Sequence, residues 1–226
     1  MIDWQAVGLS VRLATATTAV LLVVGMPIAW WLARSRRPWR PLVEALVALP
    51  LILPPTVLGF YLLVAMGPNG PLGALWVGTT GGRLAFSFEG LLLASVLYSL
   101  PFTVQPLSVA FAAVDRSLLE VSWTLGRSGL ATFLRVVVPL SAGGFVTGMV
   151  LTFAHTLGEF GVVLMVGGNI PGETRTVSIA IYDRVQALDY SGAAATALPL
   201  LLVSFAVLVV TYGLRGLKVD PWPAPR

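Results

Sequence analysis

Long uncharged stretches alternate with short charged ones along this chain. The uncharged runs cover residues 13–33, 45–82, 90–114, 136–158 and 190–214. A helix needs about 20 residues to cross the hydrocarbon core of a bilayer, so four of these runs fit one crossing each. The run 45–82 is longer, but its second half is rich in Gly and Pro, which interrupt helices. We therefore assign it one crossing followed by an external loop.

The pattern predicts an all-α membrane protein with five transmembrane helices. The predicted helices cover residues 11–32, 46–66, 91–114, 139–165 and 193–214. They leave an N-terminal segment at 1–10, a polar connection at 115–138, which we call the polar segment, and a tail at 215–226. Composition supports this interpretation, because charged residues make up only 11% of the chain and about 25% of an average soluble domain.

The basic residues predict how the helices are oriented. Ten of the 14 lie on one side of the predicted membrane and four on the other. Loops rich in Arg and Lys stay in the cytoplasm. The ten-residue side holds the polar segment and the tail, so we expect both in the cytoplasm and residues 1–10 outside.

Composition also excludes several functions. The chain has no Cys and one His, so disulfides, iron–sulfur clusters and multi-histidine metal sites are excluded and no metal site is predicted. The net charge of +4 comes from residues at the edges of apolar runs, which act as topology anchors. No basic stripe alternates with aromatic residues, so nucleic acid is not an expected partner.

A few residues within the predicted helices are candidates for a translocation pathway or gate. Pro54 and Pro55 each remove a backbone donor from the second helix, which indicates either a kinked packing helix or one that lines a path. Gln105 lines a path or bonds to a neighbouring helix. Glu159 is a functional candidate because an intramembrane carboxylate is costly, although its position also suits the outer interface. His155 shares a helix face with Glu159 and is expected to make a structural hydrogen bond.

The polar segment contains helix signals of its own. Ser117 and Glu120 have the spacing of a capping box, which predicts a helix start near Ser117. Gly126 stands where a left-handed residue is wanted at a helix end, and Ser128 is a candidate cap for a second short helix. Pro139, favoured at a first helical position, is expected to begin the fourth membrane helix. The segment is thus either two amphipathic helices resting on the membrane or a surface that fits a cleft in a partner.

The spacing across this segment resembles the signature of ABC-importer permeases. That signature reads E-A-A, three residues, G, nine residues, I-x-L-P. This chain has E-V-S, three residues, G, nine residues, V-V-V-P, with Glu120, Ser122, Gly126 and Pro139 in place. The resemblance implies that these residues couple the chain to a separate ATPase.

The sequence itself agrees with ATP being bound by a separate subunit. The chain has one lysine, Lys218, and no G-x-x-x-x-G-K-[ST] phosphate loop. We therefore expect no enzymatic activity and no cofactor in this chain, with ATP and Mg bound by the partner ATPase.

Two further stretches resemble the molybdate permeases of ABC importers. They are LPLILPPTVLGFYLL and HTLGEFGVVLMVGGNIPGETRTVSIAIYD. The resemblance implies the type I importer fold, a multi-pass protein of the inner membrane, and alternating access in a homodimer. It also implies two cytoplasmic ABC ATPase subunits, an extracytoplasmic molybdate-binding protein and membrane lipid as partners. The alternatives are a permease for sulfate, tungstate or another oxyanion and, more distantly, an ATPase-independent channel or a membrane enzyme.

Overall fold

The computed structural model describes residues 2–216, and all regular structure within them is helical. The elements in chain order are α1 Trp4–Arg34, α2 Arg40–Ile52, α3 Pro55–Met66, α4 Pro71–Thr80, α5 Phe88–Ala112, α6 Arg116–Thr124, α7 Gly129–Thr132, a π-helix Phe133–Val137, α8 Val138–Leu140, α9 Ala142–Gly158, α10 Gly161–Gly167, α11 Val177–Gln186 and α12 Tyr190–Gly216.

Five membrane spans can be assembled from these helices. By length and hydropathy, α1, α5 and α12 are each able to cross a bilayer alone. Two further spans are bent pairs: α2 with α3 at 109°, and Gly129–Leu140 with α9 at 74°. The prediction of an all-α protein with five spans is confirmed when each bent pair counts as one span.

Capping residues extend the long helices beyond their predicted ends. The first helix was expected from residue 11, but it begins at Trp4 because the Asp3 carboxylate accepts a hydrogen bond from the Ala6 backbone N–H at 3.0 Å. Ser87 caps α5 in the same way, accepting from the Gly90 N–H at 3.1 Å. Counting uncharged residues misses such starts, because a charged residue such as Arg12 ends the run without ending the helix.

The helix predicted over 46–66 is two helices. It breaks at Leu53 and Pro54, where the backbone is extended (ψ 135° and 133°). Consecutive prolines remove two backbone donors, and each one disfavours helical geometry in the residue before it. The expected external loop also contains α4, which begins at Pro71 and ends at Thr80, with Gly81 as its C-cap. At ten residues α4 is too short to span a bilayer.

The helix predicted over 139–165 is also interrupted. Its main part, α9, begins at Ala142 after the 74° bend and ends at Gly158. Glu159 is extended (ψ 134°), and α10 starts two residues later at Gly161. Glycines flank this break, and glycine lowers the stability of a helix interior. The last predicted helix, 193–214, lies within α12, while residues 217–226 of the predicted tail are outside the described residues.

Helix α5 lies at the centre of the fold, between α1 and α9. Gly25 of α1 brings that helix against Thr103 and Val104 of α5. Near the end of α5, a buried cluster joins the membrane helices to the polar segment. It comprises Ala29, Leu32, Val47, Val104, Leu107, Phe111, Val114, Leu119 and Val137. The polar segment therefore packs on the membrane helices through apolar side chains.

Candidate functional site

The first helix of the polar segment starts at a different cap from the one predicted. Asp115, not Ser117, is the N-cap residue of α6, and its carboxylate accepts from the Ser117 backbone N–H at 2.9 Å. Hydrogen bonding to Ser117 lowers the pKa of Asp115. Asp115 was missed because the capping box favoured a Ser with Glu three residues later. Glu120 instead accepts from Arg116 Nε at 3.0 Å, a pair spaced by one helical turn on the exposed surface.

Gly126 ends this helix in the predicted left-handed conformation, with φ +75°. Its N–H donates to the Trp123 carbonyl at 2.9 Å, and the Arg127 N–H donates to the Ser122 carbonyl at 3.1 Å. This pair of bonds is the Schellman arrangement. Ser128 then caps α7, as predicted, by accepting from the Ala131 N–H at 3.2 Å.

Ser122 holds the two helices of the polar segment together. Its side chain is 8% exposed, and its hydroxyl lies 2.8 Å from that of Thr132, which is 2% exposed. Leu119 and Val137, one from each arm of the turn, belong to the buried cluster with Phe111. The small residue expected at 122 is therefore required by close packing inside the segment.

An arginine of α1 binds the end of α5 at which the polar segment begins. Arg34, the last residue of α1, donates from Nη2 to the carbonyl oxygens of Phe111 and Val114 at 3.0 and 2.8 Å. Carbonyls at a helix C-terminus lack intrahelical partners and carry partial negative charge. Arg34 thus satisfies the end of α5 immediately before α6 begins.

The outer surface of the polar segment carries exposed apolar side chains. The exposed fractions are 75% for Leu125, 69% for Leu130 and 48% for Trp123. Val121, Leu118 and Leu134 are also exposed. Exposed apolar residues clustered in this way, beside polar ones, are typical of protein or membrane contact sites.

Pro139 does not begin the fourth membrane helix as predicted. It lies in α8, after the π-helix Phe133–Val137, in which the Val138 N–H reaches the Phe133 carbonyl. Proline cannot donate to the carbonyl four residues earlier and its ring crowds that group, so a widened turn before it relieves the clash. The membrane helix starts only after Ser141, whose N–H closes this turn on the Val137 carbonyl at 2.9 Å.

A seam of small and hydroxyl side chains joins α5 to α9. The two helices run antiparallel, and their contacts recur every four residues. Thr103 meets Thr152 with hydroxyls 2.5 Å apart, and Ser99 meets Thr156 at 2.9 Å. Gly148 packs directly on the Thr103 backbone. Small residues at this spacing let membrane helices approach closely. The seam was not predicted, although the four-residue spacing of Ser95, Ser99 and Thr103 in the sequence is a signal that could have indicated it.

Glu159 ends the seam at the break between α9 and α10. It is 4% exposed, so it lies inside the protein and not at the outer interface. Ser95 donates to its Oε2 at 2.8 Å, while its Oε1 has no hydrogen-bond partner among the described residues. His155 does not pair with Glu159; its Nδ1 lies 2.9 Å from the Ser99 hydroxyl and its ring stacks on Phe102. The predicted structural role of His155 is therefore confirmed, with Ser99 as the partner.

The two helix breaks pack against each other. Pro55 begins α3 and Gly161 begins α10, and a Cβ atom on Gly161 would lie 2.7 Å from the Cβ of Pro55. One turn further on, Gly59 packs equally closely on Met165. The helices α3 and α10 therefore run side by side in parallel from adjacent breaks. Three of the four predicted pathway residues, Pro54, Pro55 and Glu159, belong to these breaks.

Gln105 lies apart from the two breaks, ten residues along α5 from Ser95. It lines a cavity between α1, α2 and α5, close to the polar segment. Its assignment to a pathway stays a prediction. Over residues 2–216, no three His, Asp or Glu side chains converge as metal ligands.

A comparison with known protein families identifies the family of this chain. The model of one family, described as "Binding-protein-dependent transport system inner membrane component", matches residues 25–217. The chain belongs to this family. As an inner membrane component of such a transport system, it is a multi-pass transport subunit of an importer. The matched range contains the polar segment, both helix breaks and the α5–α9 seam.

Individual members of the family are similar over nearly the whole chain. The "Molybdenum transport system permease protein ModB" of Azotobacter vinelandii is 55% identical over 96% of each chain. A "Probable sulfate transport system permease protein cysT" of Nephroselmis olivacea is 37% identical over 88% of this chain and 71% of its own. A solved bacterial ABC transporter "involved in the import of the acidic polysaccharide alginate" shares the fold, with TM-score 0.73 and 14% identity over 95% of this chain and 79% of that one.

Proposed function

We propose that this inner membrane component is the permease subunit of an ABC importer for molybdate. The 55% identity to a molybdenum permease over 96% of both chains supports molybdate over sulfate, for which the relative above is 37% identical. A sulfate or tungstate permease is the alternative that the uptake experiment below must exclude.

The polar segment is the proposed docking site for the ATPase. The observation that carries this assignment is its two-sided structure. Leu119 and Val137 are buried against the membrane helices, while Trp123, Leu125 and Leu130 remain exposed on the opposite side. A cleft in a partner would cover the exposed residues, and the buried ones would transmit its movement to α1 and α5. The partner, not this chain, binds ATP and Mg.

Transport in this proposal is alternating access in a homodimer. Two copies of the chain form the pathway, and two ATPase subunits move the two polar segments together on binding ATP. The adjacent breaks at Pro54–Pro55 and at Glu159 are the proposed gate, because α3 and α10 are short helices that can shift as a pair. An extracytoplasmic binding protein delivers molybdate to the opposite face.

Docking of the ATPase can be tested by one charge substitution on the exposed side. Leu125→Asp should weaken binding of the ATPase about thirtyfold and reduce its co-purification, since truncating a central contact costs roughly 2 kcal/mol. Leu75→Asp on α4 is the matched control, because Leu75 is also largely exposed (67%) and lies outside the polar segment. Equal co-purification of the two variants would contradict the proposed docking site.

Substrate identity is tested by competition during uptake of labelled molybdate into cells that depend on this chain. We expect unlabelled molybdate to compete fully and sulfate to compete weakly. Competition by sulfate as strong as that by the same concentration of unlabelled molybdate would refute molybdate selectivity. The docking site tested by Leu125→Asp does not depend on that outcome. Stronger competition by tungstate would reassign the substrate.

A further inference from the structure

The cavity that contains Gln105 is a groove with one apolar wall and one charged end. It has a volume of about 450 Å³ and lies between the end of α1, the start of α2 and the second half of α5. Val47, Ala48 and Val104 line its apolar part, while Gln105 and Ser108 supply hydrogen-bonding groups. Val109 at its rim is 72% exposed, so the groove opens sideways, away from the body of the protein.

Arg40 occupies the charged end of this groove with unused hydrogen-bonding capacity. Its Nη2 lies 2.8 Å from Glu44 Oε1, but its buried Nε has no hydrogen-bond partner among the described residues. An arginine side chain has five N–H donors. The Arg40 side chain is 43% exposed, so its Nη donors can reach a second acceptor that enters the groove. Arg36 and Arg37, both exposed in the α1–α2 connection, leave this end positively charged despite Glu44.

We propose that the groove binds an anionic phospholipid. The phosphate accepts hydrogen bonds from Arg40, the ester oxygens face Gln105 and Ser108, and one acyl chain lies along Val47, Ala48 and Val109. Basic pockets between membrane helices recognise acidic headgroups in this way.

A free oxyanion accounts for Arg40 but leaves the apolar wall uncovered. A second copy of this chain would also cover the apolar wall, and crosslinking distinguishes that occupant from a lipid. An anionic phospholipid accounts for both Arg40 and the apolar wall, and it is present in the membrane that surrounds the protein.

Native mass spectrometry of the purified full-length chain tests this proposal. Dioleoyl phosphatidylglycerol should be retained through delipidation, and dioleoyl phosphatidylcholine should be lost. Arg40→Gln should lower the retained phosphatidylglycerol about fivefold, since one arginine near a headgroup contributes about 1 kcal/mol. Arg116→Gln is the matched control, because Arg116 forms the same i,i+4 pair with Glu120 outside the groove. Equal retention by both variants would overturn the proposal.

A second variant keeps the test decisive if Arg40→Gln does not fold. Ala48→Trp fills the apolar part of the groove without changing its charge, so it should also reduce the retained phosphatidylglycerol. Displacement of phosphatidylglycerol by millimolar molybdate would instead make the groove a free-oxyanion site.

The chain has no Cys, so Val109→Cys provides a single reactive thiol. Efficient crosslinking of Val109→Cys between two copies would show that a second chain covers the groove, and that outcome also overturns the proposal. Molybdate uptake is measured separately, so failure here does not affect the proposed transport function.

Discussion

Gly126 is the residue at which local geometry most strongly restricts the choice of amino acid. Its φ of +75° is strained for residues with a Cβ atom, although nothing lies within 4 Å of the position that a Cβ would occupy. The restriction is therefore a property of the backbone and not of packing. It holds the two helices of the polar segment at the angle that buries Ser122.

We predict that Gly126→Ala destabilises this turn by about 1–2 kcal/mol, the cost of a left-handed conformation in an L-residue. Hydrogen exchange of residues 116–132 should rise and transport-coupled ATP hydrolysis should fall. Gly129→Ala is the control, because Gly129 is also open but lies in α7, where alanine stabilises a helix. Similar exchange in the two variants would contradict this account.

At Glu159 the choice of amino acid is restricted by the surrounding side chains and not by the backbone conformation. It is buried at a helix break with one carboxyl oxygen bonded to Ser95 and the other unpartnered in the described structure. An acceptor is needed there, but a second one is not. An amide would keep the acceptor for Ser95 and place its NH2 group where the unpartnered Oε1 now lies, exchanging one unpartnered polar group for another.

We predict that Glu159→Gln retains the stability of the parent protein, while Glu159→Leu loses about 1–3 kcal/mol because the buried Ser95 hydroxyl loses its acceptor. Thermal unfolding in detergent measures the difference. If Glu159→Gln folds normally but abolishes uptake, the carboxyl group has a role in the gate beyond structure. If Glu159→Leu is as stable as Glu159→Gln, the Ser95 bond does not contribute.

At the scale of the helix, the short parallel pair α3 and α10 stands out. Each begins at a break, and each approaches the other through a glycine, Gly59 on α3 and Gly161 on α10. Side chains at either position would have to push the helices apart. The proposed gate requires this contact, because it would make the two short helices shift together.

Substitution of the glycines on either side of the Glu159 break should therefore have unequal effects. We predict that Gly161→Ala destabilises the protein by about 1–3 kcal/mol through overpacking against Pro55. Gly158→Ala should be close to neutral, because nothing lies within 4 Å of a Cβ at that position. Thermal unfolding monitored by size-exclusion chromatography compares the two. Equal melting temperatures would show that α10 relaxes away from α3 without cost.

At the scale of the whole molecule, orientation depends on charge distribution. The sequence predicts that ten of the 14 basic residues lie on the side that holds the polar segment. Arg34 shows that some of them also have structural partners, since it bonds the end of α5. The proposed function requires this side to face the cytoplasm, where ATP is available.

Orientation can be measured with single cysteines, because the natural chain has none. We predict that Gly78→Cys on α4 reacts with a membrane-impermeant maleimide in intact spheroplasts. Arg127→Cys in the polar segment should react only after the membrane is permeabilised. Both sites are exposed, and Gly78 has no neighbour within 4 Å of a Cβ. The reverse labelling pattern would contradict the orientation and the ATPase docking site together.

The sequence by itself determined the features that depend on local chemistry. Apolar runs of sufficient length require helices in a membrane, so the all-α fold with five spans was predictable. The left-handed turn at Gly126 and the cap at Ser128 were also correctly predicted, because each depends on a few adjacent residues. The spacing from Glu120 to Pro139 indicated the family for the same reason.

Only the tertiary structure decided which residues meet across the fold. The hydropathy pattern predicts continuous helices through Pro54 and Glu159, because the residues around each break are as apolar as those within a helix. That these breaks adjoin depends on the packing of Pro55 on Gly161, more than 100 positions away in the chain. The partner of Glu159 and the groove beside Arg40 likewise depend on the position of α5, which no local pattern specifies.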